Sequence, residues 1–385
     1  MPDKRFRDNN RRRDRKKNES SGKPFLQAPI ILDRRERPEQ TAYSPTTTTT
    51  TTSNPDVDTP PSAHQPIKAN STSIEDSSAT CIPFLRRPNK FNADTILKHL
   101  TDYPGHFVIG IIGKQGVGKS TILSHFTQDT KHAFPSQDNA QFLYQGHKTE
   151  GIDMYITPER AILLDTEPIL SWTILDDALR HGSLGGLHPD VWLEMESLYS
   201  IIFLMSVCNS VLVVNDSPEI DLDVLKLIQR AEMLKFCIPD FPLLVGQQDM
   251  HHYPDIVFVC NKCQKNEFTY RNYSALQAIL TSLFETSQLK TRGLVSLGDV
   301  LPLYKTNQEN EANLFFLPQQ DDIDSLQDLV SALRDQVIAG PRRPGKKGQV
   351  SEKDWFKNAI KTFEVVRKSD YIMEYLQVVR KLRDT

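Results

Sequence analysis

The chain contains one complete phosphate-binding motif of the form G-x-x-x-x-G-K-S. Its residues, with the threonine that follows, are Gly113, Lys114, Gln115, Gly116, Val117, Gly118, Lys119, Ser120 and Thr121. Glycines at the tight positions let backbone N–H groups close around phosphate oxygens. Lys119 is expected to contact the β- and γ-phosphates, and the Ser120 hydroxyl to bind Mg²⁺. The motif therefore predicts a nucleotide-phosphate site.

The segments on either side of this phosphate loop (residues 113–120) are those that the motif requires. Residues 106–112 form an apolar, β-branched run, and residues 119–126 have the pattern of a helix. A buried strand before the loop and a helix after it point the positive helix N-terminus at the bound anion.

A carboxylate for the metal ion is expected at Asp165, which follows the apolar run 161–164. Residues 152–157 and 161–164 are predicted to be two strands joined by a tight turn at 158–160. This arrangement is typical of a small-GTPase-like domain, in which a threonine ahead of the first strand covers Mg²⁺ and the γ-phosphate. Thr149 is the candidate. We therefore predict a Mg²⁺ site made by Ser120, Asp165 and Thr149.

The residues that would drive hydrolysis depart from the GTPase pattern. GTPases usually follow the metal-binding aspartate with two residues, a glycine whose N–H reaches the γ-phosphate, and a glutamine that orients water. Here Pro168 stands at the glycine position and has no N–H, while Ile169 cannot position water. The sequence thus predicts nucleotide binding with little or no hydrolysis.

The base-reading motif is also altered. Asn261, Lys262 and Gln264 follow the predicted strand 255–260, where GTPases carry Asn-Lys-x-Asp. An aspartate accepts two hydrogen bonds from guanine, whereas the Gln264 side chain offers one acceptor oxygen and two donor hydrogens. These three residues are expected to bind the base. GTP/GDP and ATP/ADP both remain open as the ligand.

The N-terminal part of the chain has the composition of a disordered region. The chain has 385 residues and a net charge of −3, yet residues 1–20 hold nine basic and four acidic side chains. Residues 46–52 are seven consecutive threonines. Apolar residues are too sparse here to offset the entropy of ordering. We therefore predict that residues 1–90 are disordered, with 65–70 a short piece able to dock on the folded domain.

Strands and helices alternate over residues 91–340. This order predicts an α/β fold, a P-loop NTPase domain with a mostly parallel sheet and helices on both faces. Residues 341–349 have the composition of a linker, and apolar residues recur at helical spacing over 350–385. Two C-terminal helices are therefore expected to pack on the domain or on a partner.

Cysteines and one uncharged run bear on the compartment and on the membrane. Five cysteines, an odd number, favour a reducing compartment, and we expect the cytoplasm. Cys260 and Cys263 lack a second metal-binding pair at suitable spacing, so no zinc site is predicted.

Residues 197–215 carry no charge, but polar interruptions and a β-branched end predict a buried helix and strand. No signal peptide or membrane span is expected.

With these residues in hand, the chain resembles the family of the ninth-numbered, G-domain-like SMG factor of nonsense-mediated mRNA decay. Besides the phosphate loop, the matching segments are 65–68, 151–153, 156–160, 164–171, 196–198, 231–233, 261–262, 352–356 and 366–369. Together they extend over residues 65 to 380. The run Asp165-Thr-Glu-Pro-Ile-Leu-Ser171 is unlike ordinary GTPases and makes the match specific.

The resemblance implies a regulatory subunit and not a free-standing enzyme. Members pair with a larger G-like SMG subunit. The heterodimer binds the phosphatidylinositol-3-kinase-related SMG kinase and restrains its phosphorylation of the decay helicase.

Two other readings of the sequence stay open at this point. One is a slow P-loop GTPase or ATPase whose water-positioning group comes from a partner. The other is an RNA-binding factor that uses residues 1–20. We rank RNA binding last, because Phe6 is the one aromatic residue interleaved with those charges.

Overall fold

Apolar, β-branched segments form the centre of one eight-stranded sheet. The computed structural model describes residues 81–127, 133–134, 147–182, 184–238, 252–305, 311–319, 323–342 and 350–383. Within these ranges the strands are β1 Ile82–Arg86, β2 Lys90–Phe91, β3 Phe107–Ile112, β4 Ile152–Ile156, β5 Ala161–Thr166, β6 Ser210–Asn215, β7 Asp255–Cys263 and β8 Leu314–Pro318.

The helices of the same ranges connect and cover these strands. They are α1 Ala93–His99, α2 Lys119–His125, α3 Trp172–Arg180, α4 Pro189–Val207, α5 Leu222–Phe236, α6 Tyr270–Leu283, α7 Ile323–Ile338, α8 Glu352–Lys368 and α9 Asp370–Arg383. Short 3₁₀ turns lie at Leu297–Asp299 and Pro302–Tyr304.

The strand order is β2-β1-β4-β5-β3-β6-β7-β8. Strands β5, β3, β6, β7 and β8 are parallel, whereas β4 runs antiparallel to β5. Because β3 lies between β5 and β6, the order of the strands reverses at its carboxyl end, where ligands bind in open α/β sheets. The phosphate loop leaves β3 at that point. The predicted fold class, a small-GTPase-like P-loop domain with a mostly parallel sheet, is confirmed.

The beginning of the ordered part differs from the sequence prediction. Strand β1 and the first residue of β2 lie within the region 1–90 that was predicted to be disordered, so residues 82–90 are ordered and correct that boundary. Phe84 of β1 is completely buried against aromatic rings that are distant in sequence, which no local pattern could reveal. The basic arm, the threonine run and residues 65–70 lie outside the described residues, as do linker residues 343–349.

The uncharged run at 197–215 is a buried helix followed by a buried strand, as predicted. Helix α4 contributes twelve buried residues, and β6 continues into the centre of the sheet. Among the helices that the structure describes, none has the length and apolar character needed to cross a membrane.

The two predicted C-terminal helices pack on the domain. Trp355 and Phe356 of α8 are buried beside Phe84 of β1, with ring centroids 5.9 and 5.7 Å from it. The Trp355 indole N–H donates to the Val207 carbonyl at 2.9 Å. Helix α8 is therefore part of the core.

A buried carboxylate at the start of α8 adds a polar contact to this packing. Glu352 is 1% exposed and accepts hydrogen bonds from the Arg160 guanidinium, with an Nε to Oε1 distance of 2.6 Å. It also accepts from the Thr101 backbone N–H at 2.7 Å. The negative charge is thus compensated where water is excluded.

Candidate nucleotide site

Glycines give the phosphate loop its shape between β3 and α2. Gly116 and Gly118 have φ of 81° and 95°, in the left-handed region where other residues are strained. A Cβ on Gly118 would also lie 2.3 Å from Nδ2 of Asn261. The loop can therefore wrap closely only because these two positions lack side chains.

Lys119 places a buried cation inside this loop. Its Nζ donates to the Gly113 and Lys114 carbonyls at 3.2 and 3.1 Å, and the residue is 7% exposed. Burial lowers the pKa of Lys119 to about 8, although the Asp165 and Glu167 carboxylates oppose this shift. The ammonium lacks full compensation by anions, and phosphate oxygens would supply it.

The three residues predicted to bind Mg²⁺ are brought together. Ser120 Oγ and Thr149 Oγ1 both donate to Oδ2 of Asp165, at 2.7 and 3.0 Å. The other carboxylate oxygen, Oδ1, is buried and accepts no hydrogen bond within the described part of the chain. Burial raises the pKa of Asp165 to about 6, against the opposing effects of Lys119 and the two hydroxyls. One carboxylate and two hydroxyls suit Mg²⁺, whose remaining ligands are usually water and substrate phosphates.

These two shifted groups predict how nucleotide affinity varies with pH. We expect affinity for a Mg²⁺-bound nucleotide to be greatest between about pH 6 and about pH 8. Below this range Asp165 takes up a proton and cannot hold the metal, and above it Lys119 loses its charge. Calorimetric titrations with Mg²⁺ and ADP at about pH 5, 7 and 9 measure this. Equal affinity at all three values would contradict the assignment.

Asn261 and Lys262 lie within β7 and not in a loop after it, which corrects the sequence prediction. Asn261 Nδ2 donates to the Val117 carbonyl at 2.9 Å, and Lys262 Nζ donates to the Gly116 carbonyl at 2.6 Å. The strand is irregular here, because its register with β8 shifts between Cys260 and Cys263 and Lys262 has a φ of 57°. Gln264 comes next and is exposed, and its backbone N–H donates to Glu267. Base recognition by these three residues stays a prediction.

The backbone N–H groups of residues 167, 169 and 170 donate hydrogen bonds to other segments of the chain. Pro168 has no N–H, and the N–H groups around it donate to protein oxygens. These bonds are Glu167 N to Gly151 O at 2.8 Å, Ile169 N to Gly113 O at 3.1 Å, and Leu170 N to Ser197 Oγ at 3.0 Å. The Glu167 carboxylate is in turn held by Arg87 and by the Gly151 N–H.

The side chain of Gln115 makes contacts that the sequence did not indicate. Its Oε1 accepts hydrogen bonds from Ser171 Oγ and Thr173 Oγ1, both at 2.9 Å. His147 Nδ1 lies 2.9 Å from the same threonine hydroxyl. These residues are too far apart in the chain to form a short motif, so no sequence signal could have grouped them.

Comparison of this sequence with those of known proteins finds relatives in several animals. No protein-family model matches the chain. It is 32% identical over 328 residues to the nonsense-mediated mRNA decay factor SMG9 of Salmo salar, covering 73% of this chain and 64% of that protein. It is 30% identical over 332 residues to SMG9 of Xenopus tropicalis, covering 74% and 64%. A Caenorhabditis briggsae SMG9 is 27% identical over 228 residues, covering 55% and 58%.

Similar solved structures are translation factors. Bacterial selenocysteine-specific elongation factor EF-Sec has a TM-score of 0.31 at 10% identity, over 62% of this chain and 29% of that chain. Elongation factor SelB from Methanococcus maripaludis has a TM-score of 0.29 at 12% identity, over 64% of this chain and 37% of that chain.

The chain spans 64% of the length of the first two SMG9 relatives. The resemblance predicted from the motifs is confirmed, and the chain is a homologue of the SMG9 nonsense-mediated mRNA decay factors.

Proposed function

We propose that this protein is a nucleotide-binding regulatory subunit of nonsense-mediated mRNA decay that turns over its nucleotide slowly or not at all. In this proposal it pairs with a larger G-like SMG subunit. The pair binds the phosphatidylinositol-3-kinase-related SMG kinase and restrains it. Homology to SMG9 factors supports the role in decay.

The proposed lack of turnover rests on the backbone amides of the segment that follows Asp165. A γ-phosphate sensor needs a backbone N–H that can turn toward the nucleotide. Pro168 has none, and the amides of Glu167, Ile169 and Leu170 already donate to the chain's own oxygens. Ile169 offers no group to orient water. The segment thus lacks the parts that would couple a bound triphosphate to hydrolysis.

Nucleotide binding is supported by the other half of the site. Lys119 and the loop amides would hold the phosphates, while Ser120, Asp165 and Thr149 would hold Mg²⁺, which neutralises phosphate charge when bound. GTP/GDP and ATP/ADP are both candidates for the nucleotide.

We also propose that the protein works in the cytoplasm, which is a reducing compartment. The structure describes all five cysteines, and no disulfide joins them. Burial raises the pKa of Cys263 to about 12 and also raises that of Cys260, which keeps both as thiols and disfavours metal binding.

Multiple-turnover assays on the purified heterodimer test the absence of catalysis. We expect GTP and ATP hydrolysis slower than ~1 s⁻¹, below the usual range of enzymes. A rate at or above this value contradicts the proposal. Phosphate release that the partner stimulates, and that Lys119→Ala abolishes, would instead support a partner-activated GTPase or ATPase. Phosphorylation of the decay helicase by the kinase, with and without the heterodimer, tests the restraint.

The identity of the base is tested by replacing Gln264 with aspartate. The new carboxylate offers two acceptors to the N1 and N2 hydrogens of guanine, and hydrogen bonds to a charged group contribute roughly 1.5–3 kcal/mol each. We expect the ratio of GDP affinity to ADP affinity to rise at least ~10-fold. Calorimetric titrations of both nucleotides on wild type and variant measure it.

Asn266→Asp is the matched control, because it adds the same charge to the same exposed turn. We expect this control to leave the ratio near its wild-type value. An unchanged ratio in Gln264→Asp would remove Gln264 from the base site and leave the phosphate-loop assignment intact.

A further inference from the structure

We infer that Gln115, His147, Ser171 and Thr173 form a polar latch that fixes α3 to the phosphate loop whether or not a nucleotide is bound. The latch joins three segments: the phosphate loop, the stretch that leads to Thr149, and the first turn of α3. The inference rests on the proposed function only in placing the nucleotide at this loop.

The hydrogen bonds of the latch meet at Gln115 and Thr173. Ser171 and Thr173 both donate to Oε1 of Gln115, so one acceptor holds two hydroxyls of the first turn. The two hydroxyl oxygens also lie 2.9 Å from each other. Nδ1 of His147 lies 2.9 Å from Thr173 Oγ1, and the imidazole tautomer sets the direction of that bond.

The four side chains of the latch find these partners within the chain itself. The latch therefore needs no phosphate to complete it.

Helix α3 depends on this latch because it shares little with the main core. Its buried side chains, Ile174 and Leu175, pack with Trp192 in a small hydrophobic cluster separate from the core of the sheet. A helix held by few apolar contacts opens more readily than the core does. The hydroxyls of Ser171 and Thr173 give it a second attachment, directly to the loop that would bind phosphate.

The consequence is a rigid surface beside the nucleotide. The latch also bonds His147 to Thr173. His147 lies two residues before Thr149, the predicted metal ligand. Segments that would move when a switch domain changes nucleotide are here bonded to one another. Helix α3 should then present the same face to a partner in every nucleotide state.

Hydrogen exchange of the α3 amides tests the latch. The variant combines Ser171→Ala with Thr173→Val, which removes both hydroxyls; Ser171 makes no side-chain capping bond, so the helix start is otherwise preserved. We expect exchange in residues 172–180 to become at least ~10-fold faster without nucleotide, as loss of two hydrogen bonds predicts. Exchange in α6 should stay at its wild-type rate.

Two controls keep the test decisive if the double variant is poorly folded. Thr173→Ser keeps the hydroxyl, and we expect wild-type exchange in α3. Ser274→Ala removes an exposed hydroxyl from α6, and α3 should not respond. Wild-type exchange rates in the double variant would overturn the latch, as would faster exchange in Thr173→Ser.

Nucleotide state is tested on the wild-type chain with Mg²⁺ and ADP, GDP or their nonhydrolysable triphosphate analogues. We expect α3 exchange to change less than ~2-fold on addition, since the latch bonds remain. A change of ~10-fold or more would overturn the inference. Calorimetry on the same samples shows whether the nucleotide binds. If it does not bind, the proposed function is contradicted. The latch is still tested by comparing exchange in the double variant and in wild type without nucleotide.

Discussion

Replacing Lys119 with alanine is expected to lower the affinity for a Mg²⁺-bound nucleotide by ~10- to 100-fold or more. The ammonium is buried, and this burial lowers its pKa to about 8 against the opposing effects of Asp165 and Glu167. A charge-assisted contact to phosphate contributes roughly 1.5–3 kcal/mol. Calorimetric titrations with ADP and with GDP measure the loss.

Lys361→Ala on α8 is the matched control for this substitution. It removes the same charge from an exposed position on a helix that does not form the phosphate loop. We expect its nucleotide affinity and its unfolding temperature to equal those of wild type. The Lys119 variant should also fold, because the buried strands do not depend on that side chain. Unchanged affinity in Lys119→Ala would mean that the loop is vestigial.

The second large effect concerns stability. Trp355→Ala is expected to lower the free energy of unfolding by ~3–5 kcal/mol, the usual cost of removing a large buried aromatic side chain. Trp355 is 2% exposed, packs on Phe84 and donates to the Val207 carbonyl. Domains typically have only ~5–15 kcal/mol in total. Chemical denaturation followed by circular dichroism measures the change.

Trp172→Ala provides the comparison for that measurement. This tryptophan lies on α3 and is 69% exposed, so its loss opens no cavity. We expect a change within ~0.5 kcal/mol, as for most surface substitutions. If the two tryptophan variants had equal stability, α8 would not be an integral part of the core.

The candidate phosphate loop could be located from the sequence because its chemistry would depend on adjacent residues. Eight consecutive positions specify the loop, and the apolar runs beside it could be recognised as strands without any long-range information. Asp165 followed from the end of such a run. The buried helix and strand within residues 197–215 were also predicted, since a long uncharged run leaves a clear apolar pattern.

Contacts between distant residues explain what the sequence did not predict. Glu352 binds Thr101 and Arg160, which lie 251 and 192 positions away. Gln115 binds hydroxyls 56 and 58 positions away. Helix α3 and strand β1 depend on packing of this kind, so their local sequences carry only weak signals. The same holds for Asn261, whose side chain donates to the Val117 carbonyl, 144 positions away.

The aromatic packing between β1 and α8 also has a consequence for biosynthesis. A ribosome makes Phe84 about 270 residues before Trp355, which at ~5–20 residues per second is a wait of roughly 14–54 s. During translation Phe84, Phe91 and Phe203 have no α8 to cover them, and Arg160 lacks its carboxylate. A product that terminates before Glu352 would therefore expose a cluster of rings. Such a chain is a substrate for chaperones and proteases and not a shortened working domain.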